Sequence, residues 1–366
     1  MRFHPSSVIS FTRENAYTAA IAAVTRLKGA AHPLSPQAEY PQIPRTANPL
    51  YNDSHYFNFF DHEQRIGGFT RIGKLTNQRA VTGFFFIFLE EEALMLIQGE
   101  ALPPGSREIR CSSIRYEVLE PLRRLRVAVD GEFLRLKNPR ELFDPPGFFS
   151  RTKESDFVNV ELELIFTGWG EAHDFKNIYA RGLARRMVEK GIGLKDLLET
   201  RKVAAEHYEQ VGSYSGTINA GQRKIALNAT GHRDHSWGAR DMTAPAGWIW
   251  ITVQFAKEAS LNLTRFKAGR LDIFTGYINR GGRNYPYRRY QIDTEFEPDG
   301  LTQKRLRFAV EDTGGFKMEV EGKVLTPVPI VLDDGKNRAM VIEAMTEFRW
   351  GDRTAYGVAE YMHKIY

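Results

Sequence analysis

The sequence predicts a mainly β fold built from two antiparallel β-barrel units, and three observations carry that prediction. Strand-length segments alternate apolar and polar residues: in Val158 to Phe166, Val158, Val160, Leu162 and Leu164 oppose Asn159, Glu161 and Glu163, the period-2 signature of a half-buried strand. Turn dipeptides recur at Gly281-Gly282, Asp299-Gly300, Gly314-Gly315, Asp334-Gly335 and Gly351-Asp352, a spacing that suits a meander of long strands. The 366 residues divide into two domains at roughly 100–200 residues each, each long enough to close a small barrel.

Taken in order, Asn15 to Lys28 is Ala-rich and reads as a short helix, and the prolines at 33, 36, 41, 44 and 49 force extended chain after it. Residues 1–47 are therefore expected to be an N-terminal helix with a Pro-rich arm. The first β domain is placed at 48–170. It holds the apolar run Phe84 to Leu89 and, within Leu122 to Leu136, an Asp130-Gly131 pair that predicts a two-residue hairpin. Tyr179, Leu183, Met187, Leu194, Leu197 and Leu198 recur at helical spacing, interrupted by Gly191 and Gly193, so 171–210 reads as a helical connector. The second β domain is placed at 211–366, where Met318, Val320, Gly322 and Val324 alternate with charged residues.

Composition narrows the function. Fifty Lys and Arg against 45 Asp and Glu give a net charge of +5, spread without any long run of one sign, so no nucleic-acid partner is expected. The longest apolar stretch, Val81 to Leu89, is too short for a membrane span. The N-terminus lacks the apolar core of a secretory signal. A single cysteine, Cys111, rules out an intrachain disulfide and a Cys-based zinc site, and fits a cytoplasmic location. No phosphate loop, dinucleotide glycine fingerprint or serine nucleophile elbow is present.

The densest chemistry lies in Asn228 to Met242, NATGHRDHSWGARDM. His232-Arg233-Asp234 spells a kinase catalytic-loop triplet, but the magnesium-binding Asn due five residues after the Asp is Ala239. A metal site on His232, Asp234 and His235 is disfavoured because neighbouring strand residues point to opposite faces, so no metal is expected. In an acid/base pocket, Asp234 or His235 would move a proton, Arg233 or Arg240 would hold an anionic group, and Trp237 would face a cation. The bland alternative is an Arg–Asp network pinning a turn at Gly238, with Trp237 in the core. In the next strand Ile249, Ile251, Val253 and Phe255 form one face and Trp248, Trp250, Thr252 and Gln254 the other. Large aromatics mixed with polar groups suit a ligand cavity, or else a contact between the two domains.

With these residues in view, the chain resembles the duplicated lipocalin-like barrel proteins that include carotenoid hydratase (hydroxyneurosporene synthase), the AttH-like proteins, fungal Diels–Alderases and kievitone hydratase. The resemblance rests on Arg233-Asp234-His235-Ser236-Trp237-Gly238-x-Arg240-Asp241 with His207-Tyr208-Glu209-Gln210 before it. Supporting segments are Tyr56-Phe57-x-Phe59, Gly67-Gly68-Phe69-x-Arg71-Ile72-Gly73 and Tyr356-Gly357-Val358-x-Glu360-Tyr361. It implies two lipocalin-like barrels, a hydrophobic pocket near their junction and cofactor-free chemistry on apolar substrates. It further implies His235 and Trp237 as pocket residues and Asp234 as the acid. Met242 departs from the aromatic usual at that position.

The reading that results is a cofactor-independent lyase or isomerase, of hydratase, dehydratase or cyclase type, acting on a terpenoid, steroid or aromatic molecule. Asp234 and His235 are the catalytic candidates. Arg233, Trp237, Arg240, Asp241, Trp248, Trp250 and Gln254 are the substrate-binding candidates. The alternative is a non-catalytic carrier of a hydrophobic metabolite. A third reading is a structural partner protein whose Trp face is an interface, and a homodimer is the oligomer considered.

Overall fold

In the computed structural model, residues 5–27, 33–89, 92–176, 180–193, 206–243, 245–268, 271–333 and 337–365 are described. The chain opens with helix α1 (Pro5–Leu27), longer than the predicted helix because Pro5 is tolerated in a first helical turn, followed by the arm with a single 3-10 turn at Pro36–Glu39. Then come β1 (Tyr51–Asp61), β2 (Ile66–Leu75), β3 (Ala80–Leu89), β4 (Glu92–Ala101), β5 (Ile109–Cys111), β6 (Ile114–Glu120), β7 (Arg124–Leu136), α2 (Pro145–Arg151), β8 (Phe157–Gly168) and β9 (His173–Asp174). Helix α3 (Ala180–Glu189) is followed by β10 (Glu206–Ala220) and β11 (Arg223–Ala239). The remaining strands are β12 (Gly247–Gln254), β13 (Ser260–Ala268), β14 (Leu271–Arg280), β15 (Arg283–Phe296), β16 (Gln303–Asp312), β17 (Lys317–Asp333), β18 (Arg338–Trp350) and β19 (Arg353–Ile365).

Strands β12 to β19 close an antiparallel barrel in sequence order. The other sheet runs β4-β3-β2-β1-β11-β10-β8-β7, and the pairing of Ala93, Leu94 and Met95 with Leu136, Arg135 and Leu134 joins β4 back to β7. That ring is the first barrel. Its strands β10 and β11 lie in the segment that the sequence reading divided between connector and second domain. The sheet boundary falls instead between β11 and β12. The cause is long-range pairing: β10 returns to β8, with Gly212 opposite Gly168, and β11 lies against β1, with His235 opposite His55. Local pattern carries no trace of either.

Asp130-Gly131 is a second correction, since β7 runs straight through it. Asp130 pairs with Glu161 and Gly131 with Val160. The strand exchanges β6 for β4 as neighbour near this point, and a Cβ on Gly131 would stand 3.0 Å from Ser113 Oγ. The later turn signals hold. Gly281 and Gly282 have φ of 58° and 81°, and Gly300, Gly315 and Gly351 are also left-handed. Asp334-Gly335, Tyr179, Leu194, Leu197 and Leu198 lie outside the described residues. Leu183 and Met187 of α3 pack with Ile21 of α1, forming a small helical layer.

The apolar run in β3 is continuous because both faces are buried. Phe85 and Ile87 enter the core of the first barrel, while Phe86 and Phe88 join Tyr56, Phe60, Phe69, Trp250, Met345 and Tyr356 in a layer between the barrels. Burying that many large side chains, at about 25 cal/mol per Å² of apolar surface, makes the inter-barrel contact part of the core. Among the described residues no helix is long and apolar enough to cross a membrane.

Candidate functional site

Strand β11 presents two faces with different chemistry. Arg233, His235 and Trp237 share one face with Asp53, His55 and Phe57 of β1 and Tyr208 and Gln210 of β10, as the registers require. Phe57 belongs to the core of the first barrel, so this face points inward. The arm plugs it. Arg233 Nη1 and Nη2 donate to Glu39 Oε1 and Oε2 at 2.6 and 2.9 Å, and Nε donates to Gln210 Oε1 at 3.0 Å. Tyr208 Oη and the Leu122 amide also donate to Glu39, at 2.9 and 2.6 Å. Burial pushes the Glu39 carboxyl up, but the Arg233 guanidinium outweighs it and the net shift is downward. His235 bonds the Ala38 carbonyl at 2.7 Å through Nδ1 and Asp53 Oδ1 at 3.0 Å through Nε2. His235 also stacks on His55 at 3.7 Å, and burial and the neighbouring His235 hold the His55 pKa down at about 3. Every polar group of Arg233 is thus spent on the protein itself.

His232 and Asp234 occupy the other face, with His207 and Glu209 of β10, Tyr56 and Asn58 of β1, and Arg71 of β2. Across from them stands the outer face of β12, β18 and β19. Its contributions are Trp248, Trp250, Thr252, Glu343 and Glu360, since the aliphatic residues of β12 turn into the second barrel. Glu209 organises the centre. His232 Nε2 meets its Oε2 at 2.7 Å, and Trp250 Nε1 donates to its Oε1 at 2.9 Å. His207 Nε2 lies 3.3 Å from Glu209 Oε1 and 3.8 Å from Asp234 Oδ2. Arg240 Nη2 donates to Ser54 Oγ at 2.8 Å. The Arg71 guanidinium lies over Gly73, where a Cβ would come within 2.7 Å of it. Tyr56 donates to Glu343 at 3.3 Å, and Trp248 Nε1 donates to Glu360. Asp234 keeps 20% of its side chain exposed, so the layer meets solvent at this carboxyl.

The environment drives the carboxyls apart. Burial, reinforced by the Glu209 charge, raises Asp234 despite His207, Arg240 and Arg71. Burial also opposes ionisation of Glu209, but His232 and His207 more than offset it and hold the pKa at about 2. Glu343 and Glu360 are both raised by burial, Glu343 further by the charge of Glu360 beside it. His207 is raised, because Glu209 and Asp234 overcome its desolvation. Desolvation lowers both Arg71, to about 10, and Arg240. A carboxyl inclined to stay protonated beside one held ionised is the arrangement that separates acid from base roles.

A carboxyl depressed from 4.5 to about 2 contributes stability that is complete above pH 4.5 and lost as pH falls toward 2. Urea midpoints measured across that window are expected to fall in the wild type and to fall less steeply in Glu209→Gln. Asp234, being raised, contributes with the opposite sign.

The predicted site residues therefore divide. Asp234, Arg240, Trp248 and Trp250 gather on the inter-barrel face. Arg233 and His235 point the other way and cannot share a substrate with Asp234. Trp237 walls a cavity of about 190 Å³ lined also by Leu34, Lys176 and His207, the last of which it shares with the Asp234 cluster. Asp241 accepts from the Thr243 amide and hydroxyl, shaping the loop into β12. Gln254 is fully buried on the same outer face, beyond Thr252. His232, Asp234 and His235 do not converge, but Asp53, His55 and His235, and separately His207, Glu209 and Asp234, bring ligand-type atoms within 4.8 Å of one another. Stacked imidazoles aim their lone pairs along near-parallel planes, and Glu209 already serves His232 and Trp250, so we read both trios as proton-sharing clusters. Sequence reasoning missed His207, Glu209, Arg71, Tyr56, Glu343 and Glu360 as site residues. Glu343 had a local signal, a carboxylate inside the apolar run Met340 to Met345.

A search of curated protein sequences finds no match. Solved structures do match in fold. An AttH-type protein from Nitrosomonas europaea gives a TM-score of 0.56 at 11% identity, covering 88% of this chain and 98% of its own. Kievitone hydratase from Nectria haematococca gives 0.54 at 10%, covering 91% and 96%. CghA with Sch210972 gives 0.52 at 8%, covering 90% and 95%. Residues 35–365 match the family described as "Domain of unknown function (DUF7064)", beginning at the arm that plugs the first barrel, and the chain is a member of that family.

Proposed function

We propose that the chain is a cofactor-independent lyase of the hydratase/dehydratase type, acting on a hydrophobic small molecule, terpenoid, steroid or aromatic, in a pocket at the junction of the barrels where Asp234 meets solvent. The observation that carries this reading is the raised Asp234 carboxyl beside ionised Glu209, with His207 within 3.8 Å of both. A hydratase and CghA among its structural neighbours support the leaning toward an enzyme.

In the forward direction Asp234 gives its proton to one alkene carbon, and the π pair becomes the new C–H bond. The cation left on the other carbon faces the π systems of the Trp248 wall. Water adds through oxygen, forming the C–O bond, and the Asp234 carboxylate left by the first step takes the surplus proton, so the net change is addition of one water. His207, raised toward its cationic form by Glu209 and Asp234, steadies that carboxylate until it is reprotonated. Arg71 and Arg240 hold a polar end of the substrate. In dehydration the same groups act in reverse order, and closure onto an internal nucleophile would give cyclisation.

The test is turnover in D2O. Incubating the protein with a panel of isoprenoid and aromatic alkenes is expected to fix one non-exchangeable deuterium on carbon in a hydrated product. Tight binding of panel members without any new C–D or C–O bond would instead establish the carrier.

A further inference from the structure

We infer that the barrels enclose a built water site behind Asp234, from which the proposed hydration draws its water. This deepens the hydratase reading and rests on it for its role, though not for its existence. Thr252, Asn262 and Tyr277 stand opposite one another across β12, β13 and β14, and Gln254, Ser260 and Asn279 form the adjacent row. Rows two residues apart are about 7 Å from each other. All six project from the outer face of the second barrel, because Ile251, Val253, Leu261, Leu263 and Ile278 fill its interior.

The first barrel covers this polar patch with polar groups of its own. Asn58 Nδ2 donates to Thr252 Oγ1 at 3.2 Å, Tyr277 Oη lies 3.3 Å from His232 Nε2, and His173 stacks on Tyr277 at 4.3 Å. Yet six side-chain atoms in the layer have no protein partner: both amide atoms of Gln254, Asn262 Nδ2, Asn279 Oδ1, His173 Nε2 and His232 Nδ1. Their residues are 3% exposed or less. Turning the Gln254 amide over exchanges one unpartnered atom for another. Asn262 already accepts from Thr264 at 3.0 Å and Asn279 already donates to Asn284 at 2.8 Å, so neither is free to rearrange.

Dry, each such atom forfeits the hydrogen bonds it has in the unfolded chain, and a marginally stable protein does not sustain six in one layer. Their mixture of donors and acceptors matches water, which takes two to four such partners when buried. The layer also connects to the site. His232 Nε2 lies 3.3 Å from Tyr277 Oη of this layer and 2.7 Å from Glu209 Oε2, and Glu209 leads through His207 to Asp234.

Two measurements on the full chain decide it. A crystal structure resolving ordered solvent should show water bonded to Gln254 and Asn262, and Gln254→Leu should lower the melting temperature by about 2–4 °C by stripping that water of a partner. A dry layer, or a Gln254→Leu variant that melts higher because a wasted polar group has gone, overturns the inference. Should Gln254→Leu not fold, the solvent density of the wild type decides alone. Water in place with an Asp234→Asn variant as active as wild type removes the hydratase reading and leaves the water site. A dry layer with an inactive Asp234→Asn does the reverse.

Discussion

Asp234→Asn is expected to lower turnover about 10²–10⁴-fold, the range that a positioned general acid contributes, while KM moves little. The amide keeps the shape and polarity of the side chain but has no proton to give. The pH profile supplies the sign. Because burial and the Glu209 charge raise the Asp234 pKa, the wild-type rate falls as pH rises through that pKa, and the residual rate of the variant loses this limb. His235→Ala provides the contrast. His235 lies on the opposite face of β11 between Ala38 and Asp53, so its loss is expected in the melting temperature and not in the rate per folded molecule. Steady-state kinetics beside thermal unfolding separate the two.

Glu39→Gln is expected to be the most damaging single change to stability. Arg233 and Glu39 are 1% and 0% exposed, and removing one member of a fully buried pair costs about 3–5 kcal/mol because a buried charge is left without its partner. Against a total stability of about 5–15 kcal/mol, that is a large part of the whole. Chemical denaturation is the measurement. Combining Glu39→Gln with Arg233→Met should recover much of the loss, since the pair is costly to break but not to replace by apolar packing. Truncation before residue 47 should fail to yield a folded barrel, for it removes Glu39, the Ala38 carbonyl and the Gln42 amide that bonds Asp53 at 2.6 Å. If the truncated chain folds with unchanged stability, the assignment of Arg233 to the arm is wrong.

The fold was readable where physics is local. Alternation located β8 and the interior face of β17, and glycine pairs marked the turns of the second barrel. What local pattern does not encode is which strand lies beside which. β10 reaches back to β8 and β11 to β1, so the boundary drawn at 211 fell inside the first barrel. Asp130-Gly131 misled for a related reason, since a strand that changes neighbours wants a small residue much as a hairpin does. At the site, period 2 puts Asp234 and His235 on opposite faces of one strand, but which face meets the arm and which the second barrel is set by the pairing of β11 with β1 and β10, so clustering in sequence alone suggests a single pocket. His207, Glu209, Arg71, Tyr56 and Glu360 all sat in segments that carried the resemblance. Only β10, β1, β2 and β19, brought together across the inter-barrel layer, turn those scattered letters into one charge-coupled group.

The arm has a further consequence, for synthesis. Glu39 meets Arg233 across 194 residues, so at about 5–20 residues per second the ribosome delivers the partner roughly 10–40 s after the arm has emerged. Through that interval β1 is without its neighbour β11 and the ring cannot close. Folding therefore waits on the late strands, a high-contact-order topology with slow closure, and the nascent chain exposes Phe57, Phe59 and the β3 aromatics meanwhile. Slower synthesis lengthens that exposure, which makes yield of the intact protein a matter of holdase capacity as much as of final stability.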